Sequence, residues 1–118
     1  MKYLAAALLL AAPLALAAPL ALAHHGWSEY DDSKPLELKG VIRSATYDNP
    51  HGMVRLDVGG KTWTVVLAPP GRMASRGLEQ KTLAAGVDAI VNGYPSRSKS
   101  DELRAERITI GGKTTELR

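Results

Sequence analysis

The first residues of this chain constrain its fold more than any other feature, because residues 4–23 contain only Ala, Leu and Pro. Lys2 gives this run a positive start, and Ala21 and Ala23 give it the small-residue end that signal peptidase requires. The arrangement predicts a secretory signal over residues 1–23, cleaved after Ala23, and therefore a periplasmic or secreted protein. The run also approaches the roughly 20 apolar residues of a membrane span, so an uncleaved anchor is the alternative. Prolines within the run interrupt a helix and favour cleavage.

Cleavage leaves a small domain that has to fold without disulfide bonds. Removing residues 1–23 with their single Lys leaves 95 of the 118 residues, and 14 of the 15 Lys and Arg against 12 Asp and Glu. The chain has no cysteine, which excludes a disulfide scaffold, a thiolate metal site and a lipidated N-terminus. A domain of this size buries only about 60–65% of the surface of its unfolded chain. The mature protein is therefore expected to be a single, nearly neutral domain.

Alternating apolar and polar residues mark five segments of the mature chain as strands. These segments are residues 36–43, 53–58, 61–67, 86–93 and 103–110. Gly59 and Gly60 separate the second segment from the third and are typical of a two-residue hairpin turn. Gly40 indicates a bulge in the first strand, and residues 72–76 allow a short helix that ends at Gly77.

This order of elements predicts an all-β fold with one short helix, namely a small five-stranded OB-like barrel over residues 36–118. Residues 24–35 lack any strand or helix period and are expected to form a flexible N-terminal arm. Residues 94–101 are expected to be a polar loop, and Gly111 and Gly112 to lead into a short tail. A small half-open sandwich is the structural alternative.

Histidine supplies the best candidate for a metal site. The chain has three histidines, His24, His25 and His51, and cleavage after Ala23 would make His24 the first residue. A terminal histidine offers its α-amine and its ring nitrogen to one ion, and a third nitrogen from His25 or His51 would suit copper(II). Because the amine must lose its proton to bind, affinity should fall as the pH drops. The alternative is that all three are inert, with His51 only filling a turn.

A second candidate site is the surface on which OB barrels bind ligands, which is bordered by the loops after the first and fourth strands. The ligand-binding residues predicted there are Tyr47, Asn49, Arg55, Tyr94, Arg97 and Lys99. Arg104 and Arg107 would extend this basic surface, which suits a small anionic ligand or an anionic envelope component. Nucleic acid is not expected, because outward aromatic residues are few and export removes that partner. The alternative is that these arginines only keep the sheet soluble.

Enzymatic motifs are missing from the sequence. There is no Gly-x-Ser-x-Gly elbow, no phosphate-binding glycine loop and no His-Glu-x-x-His pair. We therefore expect a protein without catalytic residues and without an enzymatic activity.

Several short motifs resemble a family of small exported bacterial proteins described only as a domain of unknown function. The motifs are Ala23-His24-His25, Trp27, Lys34-Pro35 before Leu38-Lys39-Gly40, Asn49-Pro50-His51, and Gly86 through Gly93-Tyr94. Family members carry Ser-Phe where this chain has Gly26-Trp27, and Gly-Trp where it has Gly77-Leu78. The resemblance implies an exported single domain with the histidines and the Asn-Pro-His triplet as its signature, but no activity. A more distant similarity to periplasmic bacterial OB-fold proteins agrees with the barrel.

The sequence thus favours an exported, non-enzymatic binding protein with copper(II) as its only expected cofactor, held by His24 with His25 or His51. The alternative is an OB-fold adaptor or ligand-binding module for an anionic envelope component or a protein partner. No stable membrane anchor is expected after cleavage.

Overall fold

The computed structural model describes residues 26–118, and its main element is one six-stranded sheet. The strands are β1 (Leu36–Thr46), β2 (Met53–Val58), β3 (Lys61–Val66), β4 (Asp88–Pro95), β5 (Glu102–Ile110) and β6 (Lys113–Glu116). A short helix, α1 (Pro70–Ser75), follows β3, and 3₁₀ turns lie at Trp27–Glu29 and Gln80–Thr82. Among residues 26–118, no helix is long and apolar enough to cross a membrane.

The sheet closes on itself, which confirms the prediction of a small five-stranded OB-like barrel. Its strand order is β3-β2-β1-β4-β5-β6, and β3 also pairs with β5 in parallel. Val54 and Leu56 of β2 are fully buried, while Met53 and Arg55, which alternate with them, face outward. This period of two is what the sequence pattern predicted for a half-buried strand.

The bulge in β1 lies a few residues away from the predicted position. The register of β1 against β2 shifts between Ile42 and Ser44, not at Gly40. Gly40 has another role, because a Cβ there would overlap the carbonyl oxygen of Asp57. The prediction was wrong because glycine was interpreted as a bulge residue, whereas here it allows two strands to approach closely.

The end of the chain is a strand and not the predicted tail. Gly111 and Gly112 adopt φ of +59° and +79°, which are the conformations of a tight hairpin turn. Residues 113–116 then return as β6 along β5. The polar loop is also shorter than predicted, since β4 continues through Tyr94 to Pro95.

The described part of the predicted arm is attached to the barrel. The Tyr30 side chain is 7% exposed, and Tyr30 forms an isolated bridge with Ser96. The backbone of Asp31 donates to the carbonyl of Pro95, and that of Arg97 donates to the carbonyl of Glu29. We call residues 26–31 the strap. His24, His25 and the predicted signal lie outside the described residues.

Candidate functional site

A cleft of about 340 Å³ opens where the strap meets β5 and the loop between β1 and β2. We call it the strap cleft. Its lining residues are Gly26, Glu29, Tyr30, His51, Met53, Val66, Lys99, Glu102 and Arg104.

His51 reaches this cleft because its neighbour Gly52 is fixed against the barrel. The Gly52 amide donates to the carbonyl of Ala68, and the Gly52 carbonyl accepts from the amide of Leu67. A Cβ at Gly52 would lie 2.6 Å from the Cε of Met73 in α1, so a side chain at this position would displace a buried residue. The sequence Pro-His-Gly therefore holds His51 at the rim of the cleft.

The His51 ring is neutral and accepts a hydrogen bond from an arginine. Nη2 of Arg104 lies 3.3 Å from Nε2 of His51. A guanidinium has only donors, so Nε2 accepts and the ring proton lies on Nδ1. Burial, followed by the positive charges of Arg104 and Arg72, holds the pKa of His51 below its ordinary value.

Arg104 is the most unusual residue of the cleft. Its side chain is 7% exposed, and its Nε is buried without a hydrogen-bond partner among the described residues. The guanidinium carbon lies 4.5 Å from the centre of the Trp27 ring, and that of Arg118 lies 4.5 Å from the same ring. Burial, together with the charges of Arg72 and Arg118, lowers the pKa of Arg104.

Glu102, the carboxylate two residues before Arg104 that lines the same cleft, is already engaged. The Tyr30 hydroxyl donates to Oε2 of Glu102 at 2.5 Å, and Nζ of Lys99 lies 3.7 Å from Oε1 of Glu102. Burial and the Glu102 carboxylate raise the pKa of Tyr30, so this phenol stays protonated. None of the ion pairs within residues 26–118 involves Arg104.

Of the candidate site residues within the described part of the chain, only His51 and Lys99 line the strap cleft. Tyr47 donates to the carbonyl of Leu78 at 2.7 Å and so fastens the loop after β1 to the segment after α1. Arg97 donates through Nε to the carbonyl of Ser28 at 3.2 Å and holds the strap.

The remaining candidates lie apart from one another. Tyr94 donates to Glu106 at 2.9 Å, and Arg55 donates to Oγ1 of Thr64 at 3.1 Å. Asn49 is exposed. The predicted loop and strand residues thus do not form a single basic patch.

The prediction that Arg104 extends an outward basic surface was wrong. Residues 103–105 are all buried, and the ring of Trp27 in the strap lies against the Arg104 guanidinium. Arg107 is paired with Glu116 at 2.9 Å, so it also adds no unopposed charge. Sequence analysis therefore missed Arg104 as a buried site residue, because an arginine in an alternating strand is typical of an exposed position.

No group of three His, Asp or Glu side chains within residues 26–118 lies close enough together to hold an ion. Of the three predicted metal donors, His51 is the one that belongs to these residues.

Comparison with known proteins gives a family. Residues 11–104 match the model of a family of unknown function, DUF6152. The chain belongs to this family. No curated protein matches this DUF6152 chain.

Among solved structures, this DUF6152 protein is similar to part of the crystal structure of TiaS in complex with an isoleucine tRNA and ATP. The TM-score is 0.52 at 19% identity, and the match covers 75% of this chain but 20% of the other. At this identity the likeness shows the fold alone.

Proposed function

We propose that this protein is an exported, non-enzymatic binding protein that captures copper(II) through His24 once the signal is cleaved after Ala23. The α-amine and the ring of His24 supply two nitrogen donors, and His25 or His51 supplies the third. Binding copper(II) through these nitrogen donors requires no catalytic residues.

The observation that carries the proposal is that two of the three histidines, His24 and His25, directly follow the predicted cleavage site. Gly26, the residue after them, lines the same cleft as His51. His24 is two residues before Gly26, and two residues of chain span at most about 7 Å. This proximity allows His51 to serve as the alternative third donor, which the linear sequence left open.

The charges around His51 bear on which histidine gives the third nitrogen. The ring is neutral, which is the form that binds metals. However, Nε2 accepts from Arg104, so an ion at that atom would have to replace a guanidinium. The positive charges of Arg104 and Arg72 also oppose a cation at this place. We therefore favour His25 over His51 as the third donor.

Copper titration of the mature protein tests the proposal. The chain that begins at His24 should bind about one copper(II), and it should bind more weakly at about pH 6 than at about pH 8 because the amine gains a proton. The control carries Gly-Pro before His24, since proline has no amide N–H and cannot offer a replacement nitrogen. This extension should weaken binding by at least about tenfold, as should His25→Ala, while His51→Ala should have a smaller effect.

One result would contradict the proposal, and another would change only its third donor. Equal affinity with and without the Gly-Pro extension would exclude the terminal amine as a ligand. A large loss with His51→Ala and none with His25→Ala would keep a copper site but reverse the assignment of the third donor.

A further inference from the structure

The strap cleft contains a buried positive charge that nothing among the described residues neutralises. Charged side chains are almost never buried to the degree of Arg104 unless they are paired, and Arg104 is 7% exposed. The penalty for taking one ion out of water is several kcal/mol. A native protein that keeps such a group requires an explanation, and the binding of a counter-ion is a common one.

The contacts that Arg104 makes offset only part of the free-energy cost of burying its charge. Its one described side-chain hydrogen bond joins Nη2 to the neutral ring of His51 at 3.3 Å. Stacking on Trp27 brings the guanidinium carbon to 4.5 Å from the ring centre, but a neutral ring offsets only part of the cost of burying a charge. Neither contact supplies a negative charge, and the nearby charges of Arg72 and Arg118 are of the same sign.

We propose that Arg104 and Lys99 bind a small oxyanion in the strap cleft. The unpartnered Nε–H of Arg104 and its remaining Nη–H groups form the planar donor set that matches a carboxylate or a phosphate. Lys99 lines the same cleft. Its Nζ lies 3.7 Å from Oε1 of Glu102, but its exposed side chain can turn toward an anion beside Arg104 and add a second cation. The Nδ1–H of His51 is a further donor, because its Nε2 is occupied by Arg104.

The carboxylates of the cleft favour a small anion over a large one. The cleft volume of about 340 Å³ has room for one carboxylate or phosphate group. Glu29 and Glu102 line the same cleft, so an extended polyanion would meet both carboxylates. A single small oxyanion beside Arg104 would meet fewer of these negative charges.

This proposal can be tested apart from the copper site, since neither Arg104 nor Lys99 is a donor to the proposed copper ion. The test therefore uses metal-free mature protein, with the chelator removed. Inorganic phosphate and sodium acetate are titrated separately, with sodium chloride at equal ionic strength as the control. The indole N–H signal of Trp27 reports on Arg104, because the guanidinium carbon lies 4.5 Å from the centre of that ring. The signal of Trp63, which lies on β3, is the internal reference.

We expect phosphate, acetate or both to shift the Trp27 signal until it saturates, while chloride shifts neither tryptophan in this way. The titration that saturates at the lower anion concentration identifies the oxyanion class. Arg104→Met should weaken binding by at least about tenfold, since it removes the charge-assisted bonds, and Lys99→Ala should weaken it less. Arg43→Met, on β1 outside the cleft, should leave binding unchanged.

The proposal fails if neither anion gives a saturable shift with the native protein, a result that needs no variant. It also fails if Arg104→Met binds as tightly as the native protein. Should Arg104→Met not fold, Arg104→Lys replaces it, because lysine keeps the charge but loses the planar fork. Unchanged affinity in that variant would contradict a guanidinium site.

Discussion

Arg104 and Arg107 lie three residues apart on β5, yet they have opposite surroundings. Nε of Arg107 is 2.9 Å from Oε2 of Glu116 on β6, and its side chain is 39% exposed. The hydrogen bond to Glu116 raises the pKa of Arg107. Arg104 is buried under the strap, has no carboxylate among its described partners, and has a lowered pKa.

The difference shows that one residue type serves two purposes on one strand. Arg107 is part of an exposed ion pair that links the β5–β6 hairpin, and such pairs contribute little to stability. Arg104 carries an uncompensated charge into a cleft, which is costly unless a ligand offsets it. On the proposal of an oxyanion site, the end of β5 at the strap is the functional end and the hairpin end is structural.

The largest expected difference between the two ends of β5 is in the stability lost when a neighbouring glycine is replaced by alanine. A Cβ at Gly93 on β4 would overlap the carbonyl oxygen of Arg104, so Gly93→Ala should lower the free energy of unfolding by about 3 kcal/mol. At the hairpin, Gly112 has φ of +79° but no atom within 4 Å of a built Cβ. Gly112→Ala should cost only about 1 kcal/mol, from backbone strain. Denaturant unfolding measures both.

Equal losses from these two variants would contradict the close packing at Arg104. Gly71→Ala is the matched control, because no atom lies within 4 Å of a Cβ at Gly71 and its φ is not positive. It should change the stability by less than about 0.5 kcal/mol.

The two arginines should respond differently to the same substitution. Arg104→Met removes a buried, unpaired charge, so in a buffer without oxyanions the free energy of unfolding should rise by about 1 kcal/mol. Arg107→Met breaks an exposed ion pair and should lower it by less than about 1 kcal/mol. Adding phosphate should then stabilise the native protein but not the Arg104→Met protein. A loss of stability in Arg104→Met would mean that Arg104 is a structural residue.

The sequence predicted the barrel because its strands are half-buried and their turns carry glycine. Val54 and Leu56 alternate with polar residues, and Gly59 and Gly60 adopt φ of +53° and +85° at the predicted hairpin. Gly111 and Gly112 carry the same turn signal but were interpreted as the start of a tail. The strand β6 was missed because it is an edge strand with mostly polar residues. Local pattern was therefore sufficient wherever a strand has one buried face.

The strap cleft could not be predicted in this way, because its residues come from separate parts of the chain. Trp27, His51 and Arg104 come together only when β5 closes against β3 and the strap crosses β5. An arginine in an alternating strand also looks like a surface residue until the element that covers it is known. Long-range packing, and not local propensity, produces this site.

The measurement that tests the account most directly is the intact mass of the protein exported by a bacterial host, followed by copper analysis of the same sample. The account predicts a chain that begins at His24 and that retains about one copper per chain after loading. A chain that still carries residues 1–23, or a chain that begins at His24 but retains no copper, would contradict it.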